Sequence, residues 1–212
     1  MKIFIDFDDV LFNSKDFLVH LKDFFVAGGI NRELFQKYYY DSDDKDKVRL
    51  FNPYGVLERC EKYEKIDGTR LRQGLDPFLE NLKAFVFSDV KPFLEKIGKE
   101  NAQVVSFGLP SFQQSKIVGS GVGELVCDFT IMGKLKAETI LKILTEKKIS
   151  LNEKMFFIDD RVEQIEDVKK AIPQMITIFL SRKEGRYFDE KNEFCDWHVH
   201  NLKEAEEIIS KL

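Results

Sequence analysis

From residue 90 onward, short apolar runs alternate with longer stretches in which apolar residues recur every three or four positions. The runs are typical of buried strands, and the longer stretches of amphipathic helices. The predicted elements are a helix at 91–99, a strand at 102–107, a helix at 110–118, a strand at 127–132, a helix at 134–148, a strand at 154–158, a helix at 162–171, a strand at 175–180 and a strand–helix pair ending at 212. This alternation predicts an α/β fold with a Rossmann-like parallel sheet flanked by helices.

The region between residues 14 and 87 breaks this alternation, because it contains helical patterns and no convincing alternating strand. A helical pattern at 14–27 ends at Gly28 and Gly29, a common way to end a helix. Helix-leaning stretches follow at 34–50, 54–65 and 77–87. We therefore predict an α/β core formed by residues 1–13 and 88–212, with an all-α cap inserted at 14–87.

The first apolar run ends abruptly in two acids, Asp6 and Asp8. If residues 3–7 form a strand, the period of two places both carboxylates on one side, at the carboxyl end where open α/β sheets bind ligands. Two carboxylates held this close repel each other unless a cation or a shared proton neutralises them. Their oxygens suit a hard cation such as Mg²⁺. The alternative is a surface turn rich in Asp after a short strand.

Composition excludes several other classes of protein. The 212 residues are 33% charged and 43% hydrophobic with a net charge of −4, which argues against a nucleic-acid-coating surface. No apolar stretch approaches the roughly 20 residues of a membrane span. Three apolar residues before Asp6 are too few for a signal peptide. The 3 cysteines are far apart and are expected to be reduced thiols, so we expect a cytoplasmic protein.

Further polar residues stand at or just past the ends of the later predicted strands. Ser106 ends the strand at 102–107, Lys134 follows the strand at 127–132, and Asp159 and Asp160 follow the strand at 154–158. Each of these signals is weak by itself. Their order and their positions at strand ends make the set specific.

Together with Asp6-Phe7-Asp8, these residues resemble the four motifs of the haloacid dehalogenase-like (HAD) superfamily of phosphohydrolases. The resemblance covers the predicted core, and the insertion lies where many members carry a helical cap. It implies that Asp6 attacks the phosphoryl group of a monoester and forms an aspartyl-phosphate. Asp8 would protonate the leaving oxygen and then act as base on the hydrolytic water. Because C–halogen cleavage needs no such acid, Asp8 argues against dehalogenation.

The resemblance also implies a metal site and a substrate site. Mg²⁺ would be held by the Asp6 carboxylate, the Asp8 main-chain carbonyl and Asp160, with Asp159 nearby or acting through water. The predicted substrate contacts are Ser106, Phe107, Gly108 and Lys134, of which Ser106 would donate a hydrogen bond to a phosphoryl oxygen and Lys134 would supply a positive charge.

The sequence departs from the family pattern in two motifs, the one that begins at Asp6 and the Lys motif. Asp9 stands where phosphatases of the family most often have Gly. Leu135 and Ala137 stand where prolines are common in the Lys motif, so Lys136 is an alternative to Lys134.

Three other segments suggest sites that we set aside. Residues 119–123 are Gly-rich but follow a helix, so we interpret them as a helix-terminating turn rather than a phosphate-binding loop. The Cys and His residues in 195–200 lack the spacing of a zinc site and are better explained as the last strand, with Asn201 capping the final helix. Residues 41–46 depart from a calcium loop and predict a solvated loop.

The predicted function is that of a Mg²⁺-dependent phosphatase acting on a small phosphorylated metabolite, with no nucleic-acid or membrane partner. A phosphotransferase or sugar-phosphate mutase would use the same intermediate. A non-catalytic metabolite-binding protein is the alternative outside enzymes. Neither the substrate nor the oligomeric state follows from the sequence.

Overall fold

The computed structural model describes residues 1–40, 50–133 and 135–212. A 6-stranded sheet runs through them in the order β3-β2-β1-β4-β5-β6, and every neighbouring pair of strands is parallel. The strands are β1 (Lys2–Ile5), β2 (Ala102–Phe107), β3 (Asp128–Met132), β4 (Met155–Asp159), β5 (Ile176–Leu180) and β6 (Trp197–Val199). The predicted α/β class with a parallel sheet is confirmed.

Helices precede or follow each strand, and a group of them is inserted between β1 and β2. The inserted helices are α1 (Ser14–Ala27), α2 (Arg32–Lys37), α3 (Pro53–Glu64), α4 (Thr69–Leu79) and a 3-10 helix (Lys83–Phe85). The later ones are α5 (Val90–Ile97), a 3-10 helix (Lys99–Asn101), α6 (Pro110–Gly119), α7 (Val122–Leu125), α8 (Lys136–Glu146), α9 (Val162–Ala171) and α10 (Leu202–Lys211). The helical insertion after the first strand is therefore confirmed, while its limits as a separate cap at 14–87 stay a prediction.

Alternate residues of the central strands enter hydrophobic cores on opposite faces of the sheet. In β1, Ile3 and Ile5 pack in the core that includes the inserted helices, whereas Phe4 packs against α8 and α9 in the other core. Phe156 and Phe157 of β4 divide in the same way. The strands are thus buried on both faces, which explains why they are continuous apolar runs in the sequence.

The insertion contains one element whose predicted position was wrong. A helix-leaning stretch was expected at 77–87, but α4 begins at Thr69 and ends at Leu79, with Pro77 inside it. Leu71 and Leu75 are buried on one face of this helix. That apolar stripe extends the helix N-terminal to Pro77, and the helix ends two residues after the proline, at Leu79. Of the stretch predicted at 34–50, residues 41–49 lie outside the described part of the chain.

Several local signals behaved as predicted. Helix α1 ends at Gly28, and Gly29 adopts a φ of 97°. Residues 119–123 end α6 and turn into α7, with Gly121 at a φ of 77°. Asn201 caps α10 by accepting a hydrogen bond from the Glu204 N–H. The segment at 41–46 also lies outside the described residues.

Cys60, Cys127 and Cys195 are all free thiols. Within residues 1–40, 50–133 and 135–212, no helix is both long enough and apolar enough to cross a membrane.

Candidate active site

The candidate site lies at the carboxyl end of the three central strands. β1 is hydrogen-bonded to β2 on one side and to β4 on the other, and Ile5 is in register with Val104 and Ile158. Asp6 follows β1 directly, and its N–H donates to the Ile158 carbonyl over 2.9 Å. Parallel strands end at one edge of a sheet, so this register brings Asp6 beside the acids that end β4.

Three carboxylates meet at this edge. Asp6, Asp159 and Asp160 are 6%, 0% and 8% exposed, and one oxygen of each lies within 4.8 Å of the others. Lys136, the first residue of α8, is 2% exposed, and its ammonium donates to Asp6 Oδ1 and, over 2.6 Å, to Asp159 Oδ2. The Lys136 ammonium therefore contacts acids at the carboxyl ends of two different strands, β1 and β4.

The charge at this edge shifts the pKa values of two of the acids. Burial, together with the charges of Asp159 and Asp8, raises the pKa of Asp6 from 3.8 to about 7 although Lys136 opposes the shift. Burial and the neighbouring acids also raise the pKa of Asp160. Burial acts to lower the pKa of Lys136, but the charges of Asp159 and Asp6 prevail and raise it. For Asp6 and Asp160, burial and the neighbouring acids together outweigh the stabilisation that a single ammonium gives.

This donor set fits a hard divalent cation. Within the part of the chain that the structure describes, Asp6, Asp159 and Asp160 are the one group of side chains that meets the geometry of a metal site. Carboxylate oxygens are the usual protein ligands of Mg²⁺, and a cation would stabilise the ionised forms of Asp6 and Asp160, which burial and neighbouring acids disfavour. Asp6, Asp159 and Asp160 could thus hold the predicted metal. A metal contact through the Asp8 main-chain carbonyl stays a prediction.

Of the two lysines considered for the lysine motif, Lys134, the first choice from the sequence, lies outside the described residues. Lys136, the alternative, has a buried ammonium bonded to Asp6 and Asp159. Which of the two acts as the motif lysine stays a prediction.

Asp8 belongs to a second cluster, on the side of the insertion. Its Oδ1 accepts from the Lys116 ammonium and from the Ser14 hydroxyl, and its Oδ2 accepts from the Gln113 amide over 2.6 Å. Burial acts to raise the pKa of Asp8, but the charges of Lys116 and Arg186 prevail and hold it below its usual range. The Asp8 carboxylate is therefore ionised and fully paired.

Lys116 is unusually placed for a lysine. It is 4% exposed, and its ammonium lies 5.2 Å from the ring centroid of Phe12 and 5.4 Å from that of Phe7. Burial lowers its pKa although the charge of Asp8 favours the protonated form. Cation–π contacts and the carboxylate offset part of the desolvation of this charge.

Ser106 is buried at the candidate site, whereas the next residue, Phe107, is exposed. Ser106 is fully buried, and its hydroxyl accepts from the Gln113 amide over 2.7 Å. Phe107 is 42% exposed and, with Gly108, lines a cavity at the site. The predicted bond from Ser106 to a phosphoryl oxygen stays a prediction.

Two neighbouring cavities open at the site. The larger, of about 370 Å³, includes Asp6, Lys136 and Asp160 in its lining. The smaller, of about 160 Å³, lies against the inserted helices. Four residues line both: Asp8, Phe107, Arg186 and Tyr187. The volumes are those of sites for small ligands.

Sequence reasoning missed Ser14, Gln113, Lys116 and Arg186. Gln113 and Lys116 had a detectable signal, since residues three apart on a helix share a face, and α6 follows the predicted serine strand. Ser14 and Arg186 had none, because one starts a helix and the other lies in a charged loop.

No protein-family model matches the chain. No curated protein matches it either. Solved structures do. A haloacid dehalogenase-like hydrolase of Burkholderia xenovorans LB400 is 20% identical with a TM-score of 0.76, and the match covers 97% of this chain and 96% of that one.

Two further structures extend the likeness. The L-2-haloacid dehalogenase of Xanthobacter autotrophicus with chloropropionic acid covalently bound is 10% identical, with a TM-score of 0.65 and coverage of 100% and 98%. HAD-hydrolase YfnB of Bacillus subtilis, bound to magnesium, is 16% identical, with a TM-score of 0.56 and coverage of 98% and 97%. The chain thus has the fold of the HAD-like hydrolases, with helices inserted after the first strand, as its motifs predicted.

Proposed function

We propose that this protein is a Mg²⁺-dependent phosphatase that hydrolyses a small phosphate monoester through an aspartyl-phosphate on Asp6. The observation that carries the proposal is the buried cluster of Asp6, Asp159 and Asp160 around Lys136, at the mouth of a 370 Å³ cavity. The fold it shares with HAD-like hydrolases, one of them bound to magnesium, supports the assignment.

In the first step, a carboxylate oxygen of Asp6 forms a bond to phosphorus, and the bond from phosphorus to the ester oxygen breaks. Lys136 holds the Asp6 carboxylate in place and supplies positive charge beside the transferring group. A Mg²⁺ ion held by Asp6, Asp159 and Asp160 would offset negative charge between nucleophile and phosphate.

In the second step, Asp8 takes a proton from water as the water oxygen attacks phosphorus, and the bond from phosphorus to Asp6 breaks to release phosphate. The ionised, fully paired carboxylate seen here is the form that accepts this proton. In the first step, protonation of the leaving oxygen would require a protonated Asp8. The Lys116 ammonium opposes this because it stabilises the ionised carboxylate. Substrates whose leaving oxygen is a weak base are therefore expected to react fastest.

The pairing of Asp8 is also compatible with a second candidate, hydrolytic dehalogenation. A halide leaves without a proton, so a permanently ionised Asp8 is no obstacle to attack by Asp6 on carbon. The fold likeness to a haloacid dehalogenase is compatible with this chemistry. The cluster of three acids favours the phosphatase, because displacement of a halide calls for no metal ion.

The test measures phosphate release from a panel of small phosphate monoesters with and without Mg²⁺, and chloride release from 2-chloropropionate. Asp6→Asn is the inactive variant, and Asp16→Asn, an exposed acid on α1, is the matched control. Phosphate release that needs both Mg²⁺ and Asp6 supports the phosphatase. Chloride release without phosphate release supports the dehalogenase. If neither product forms, transfer to a second substrate or a non-catalytic role takes precedence.

A further inference from the structure

The loop between β5 and β6 places Arg186 at the candidate active site. The proposed chemistry assigns no role to this cation. Arg182 fixes the start of this loop, because its Nε donates to the Val10 carbonyl over 3.0 Å and its Nη2 to Asp89 Oδ1 over 2.8 Å. The chain then turns through Gly185, whose N–H donates to the Arg182 carbonyl over 3.0 Å. Arg186 follows this anchored turn directly, so its backbone position is set by the core.

The Arg186 guanidinium is hydrogen-bonded through its Nε, and its two Nη groups are available to a ligand. Its Nε donates to Asp9 Oδ2 over 2.6 Å, and its side chain is 32% exposed. Within residues 1–40, 50–133 and 135–212, its two Nη groups have no hydrogen-bond acceptor. Arg186 lines both cavities. A guanidinium with both Nη groups available is suited to bidentate binding of a carboxylate or phosphate.

Asp9, the partner of Arg186, is buried and has a positive φ. It is 1% exposed, and its φ of 58° is one that residues other than Gly seldom adopt. Its Oδ1 is buried and has no hydrogen-bond partner among the described residues. Its Oδ2 is bonded to Arg186. Strain of this kind persists where the surrounding structure enforces it, commonly at functional sites.

The other cations that line the cavities are already committed to acids. Arg161 is bonded to Asp189 and paired with Glu163. Lys136 and Lys116 are bonded to the acids of the site. Among the described residues that line the cavities, Arg186 is thus the cation with both Nη groups free of an acceptor.

Its position points to the leaving group rather than to the transferred phosphoryl group. Asp6, the proposed nucleophile, lines the larger cavity only, whereas Arg186 and Asp8 line both. The ester oxygen that leaves would lie on the side of Asp8. Arg186 therefore faces the part of the substrate beyond this oxygen.

We propose that Arg186 binds a second anionic group on the substrate, and that the substrate is a compact phosphate monoester whose leaving group carries a carboxylate or a further phosphate. Asp9 is a positioning residue that orients Arg186. The inference rests on the proposed phosphatase function for its substrate class. The anion site itself can be tested without turnover.

The kinetic test compares matched substrates that differ by one carboxylate: 4-carboxyphenyl phosphate with phenyl phosphate, and 3-phosphoglycerate with glycerol 3-phosphate. We expect the wild-type kcat/KM to favour the carboxylated member by about tenfold or more, as a charged hydrogen bond provides. Asp9→Gly/Arg186→Met removes both charges together, so no unpaired carboxylate is left buried. In this variant the preference should fall by about tenfold, through a higher KM for the carboxylated member.

Single variants separate positioning from mere structural support. Asp9→Gly suits the positive φ and should fold, yet it should weaken the preference because Arg186 loses its anchor. Asp9→Asn keeps an oxygen acceptor, tolerates the same φ and should restore the preference. Lys183→Met, in the same loop with a 90% exposed side chain, is the control and should leave the preference unchanged.

Calorimetry with uncleavable phosphonates tests the anion site independently of hydrolysis. In the presence of Mg²⁺, 4-(phosphonomethyl)benzoate should bind about tenfold tighter than benzylphosphonate, and the double variant should bind both alike. This result without any phosphate release would uphold the anion site and overturn the phosphatase. Equal binding of both phosphonates by the wild type, or an unchanged preference in the double variant, would overturn the role of Arg186.

Discussion

Lys136 supplies one positive charge among three buried carboxylates, so the charges of these four residues do not balance. Its ammonium contacts Asp6 and Asp159, and its side chain is 3% exposed. Removing one partner from a buried ion pair leaves a charge with neither water nor a counterion. Lys136 should therefore matter for folding as well as for catalysis.

We predict that Lys136→Met lowers the free energy of unfolding by about 3–5 kcal/mol in metal-free buffer near neutral pH. The remaining acids would then repel one another with no cation among them. Urea unfolding followed by circular dichroism measures the change. Lys142→Met, on the same helix with a 72% exposed side chain, should change it by less than about 0.5 kcal/mol. An equal effect of the two substitutions would show that the ammonium of Lys136 does not hold the acids together.

At the residue scale, the sequence showed that Asp9 is unusual but gave no indication of what Asp9 contacts. Its departure from the family pattern was visible in the sequence, but its partner Arg186 is 177 positions away. No periodicity links two such positions. The choice between Lys134 and Lys136 likewise stayed open, because both stand near the start of the same predicted helix.

At the scale of elements, an inserted helix approaches a core helix closely through a glycine. A Cβ atom on Gly119, the last residue of α6, would lie 1.9 Å from the carbonyl oxygen of Leu79, the last residue of α4. The Leu82 N–H donates to the Gly119 carbonyl over 3.0 Å at the same point. Backbone rather than a movable side chain occupies the space, so a methyl group there forces the two helices apart.

We predict that Gly119→Ala lowers the free energy of unfolding by about 1–3 kcal/mol, the usual cost of overpacking. Chemical denaturation of purified protein measures it. Gly133→Ala is the matched control, since a Cβ atom there meets nothing within 4 Å. If the two variants are equally stable, the contact between α4 and α6 is looser than the structure shows.

The sequence located most elements well because their signals are local. The strand predicted at 102–107 and the helix predicted at 162–171 have the bounds of β2 and α9. The helix-leaning stretch predicted at 77–87 overlaps only the last three residues of α4, which begins at Thr69. The buried stripe that includes Leu71 and Leu75 sets the true position of α4, and its burial depends on the rest of the fold.

At the scale of the whole molecule, the acid cluster links stability to pH and metal. The pKa of Asp6 is raised from 3.8 to about 7, and that of Asp160 is also raised, chiefly by burial. A carboxyl group whose folded pKa exceeds its unfolded pKa contributes stability that is complete below the unfolded value and is lost as pH rises through the folded value. Asp8, whose pKa is lowered, loses its contribution only in strong acid.

We therefore predict that the Tm in EDTA falls as pH rises from about 5 to about 8, and that Mg²⁺ raises the Tm more at pH 8 than at pH 5. Protons compete with the metal for the same carboxylates, so the metal binds better when they are ionised. Differential scanning fluorimetry across this pH range measures both effects. Asp160→Asn should reduce the difference that Mg²⁺ makes. An equal rise in Tm at both pH values would contradict the linkage.

The sequence by itself determined the fold class, the insertion after the first strand and the positions of Asp6, Asp159 and Asp160 at strand ends. These follow from apolar periodicity and from short motifs, which are properties of neighbouring residues. The tertiary structure decided that Lys136 contacts Asp6 and Asp159, that Lys116 pairs with Asp8, and that Arg186 reaches the site. Each of these depends on strand order and helix packing, which bring together side chains that are far apart along the chain.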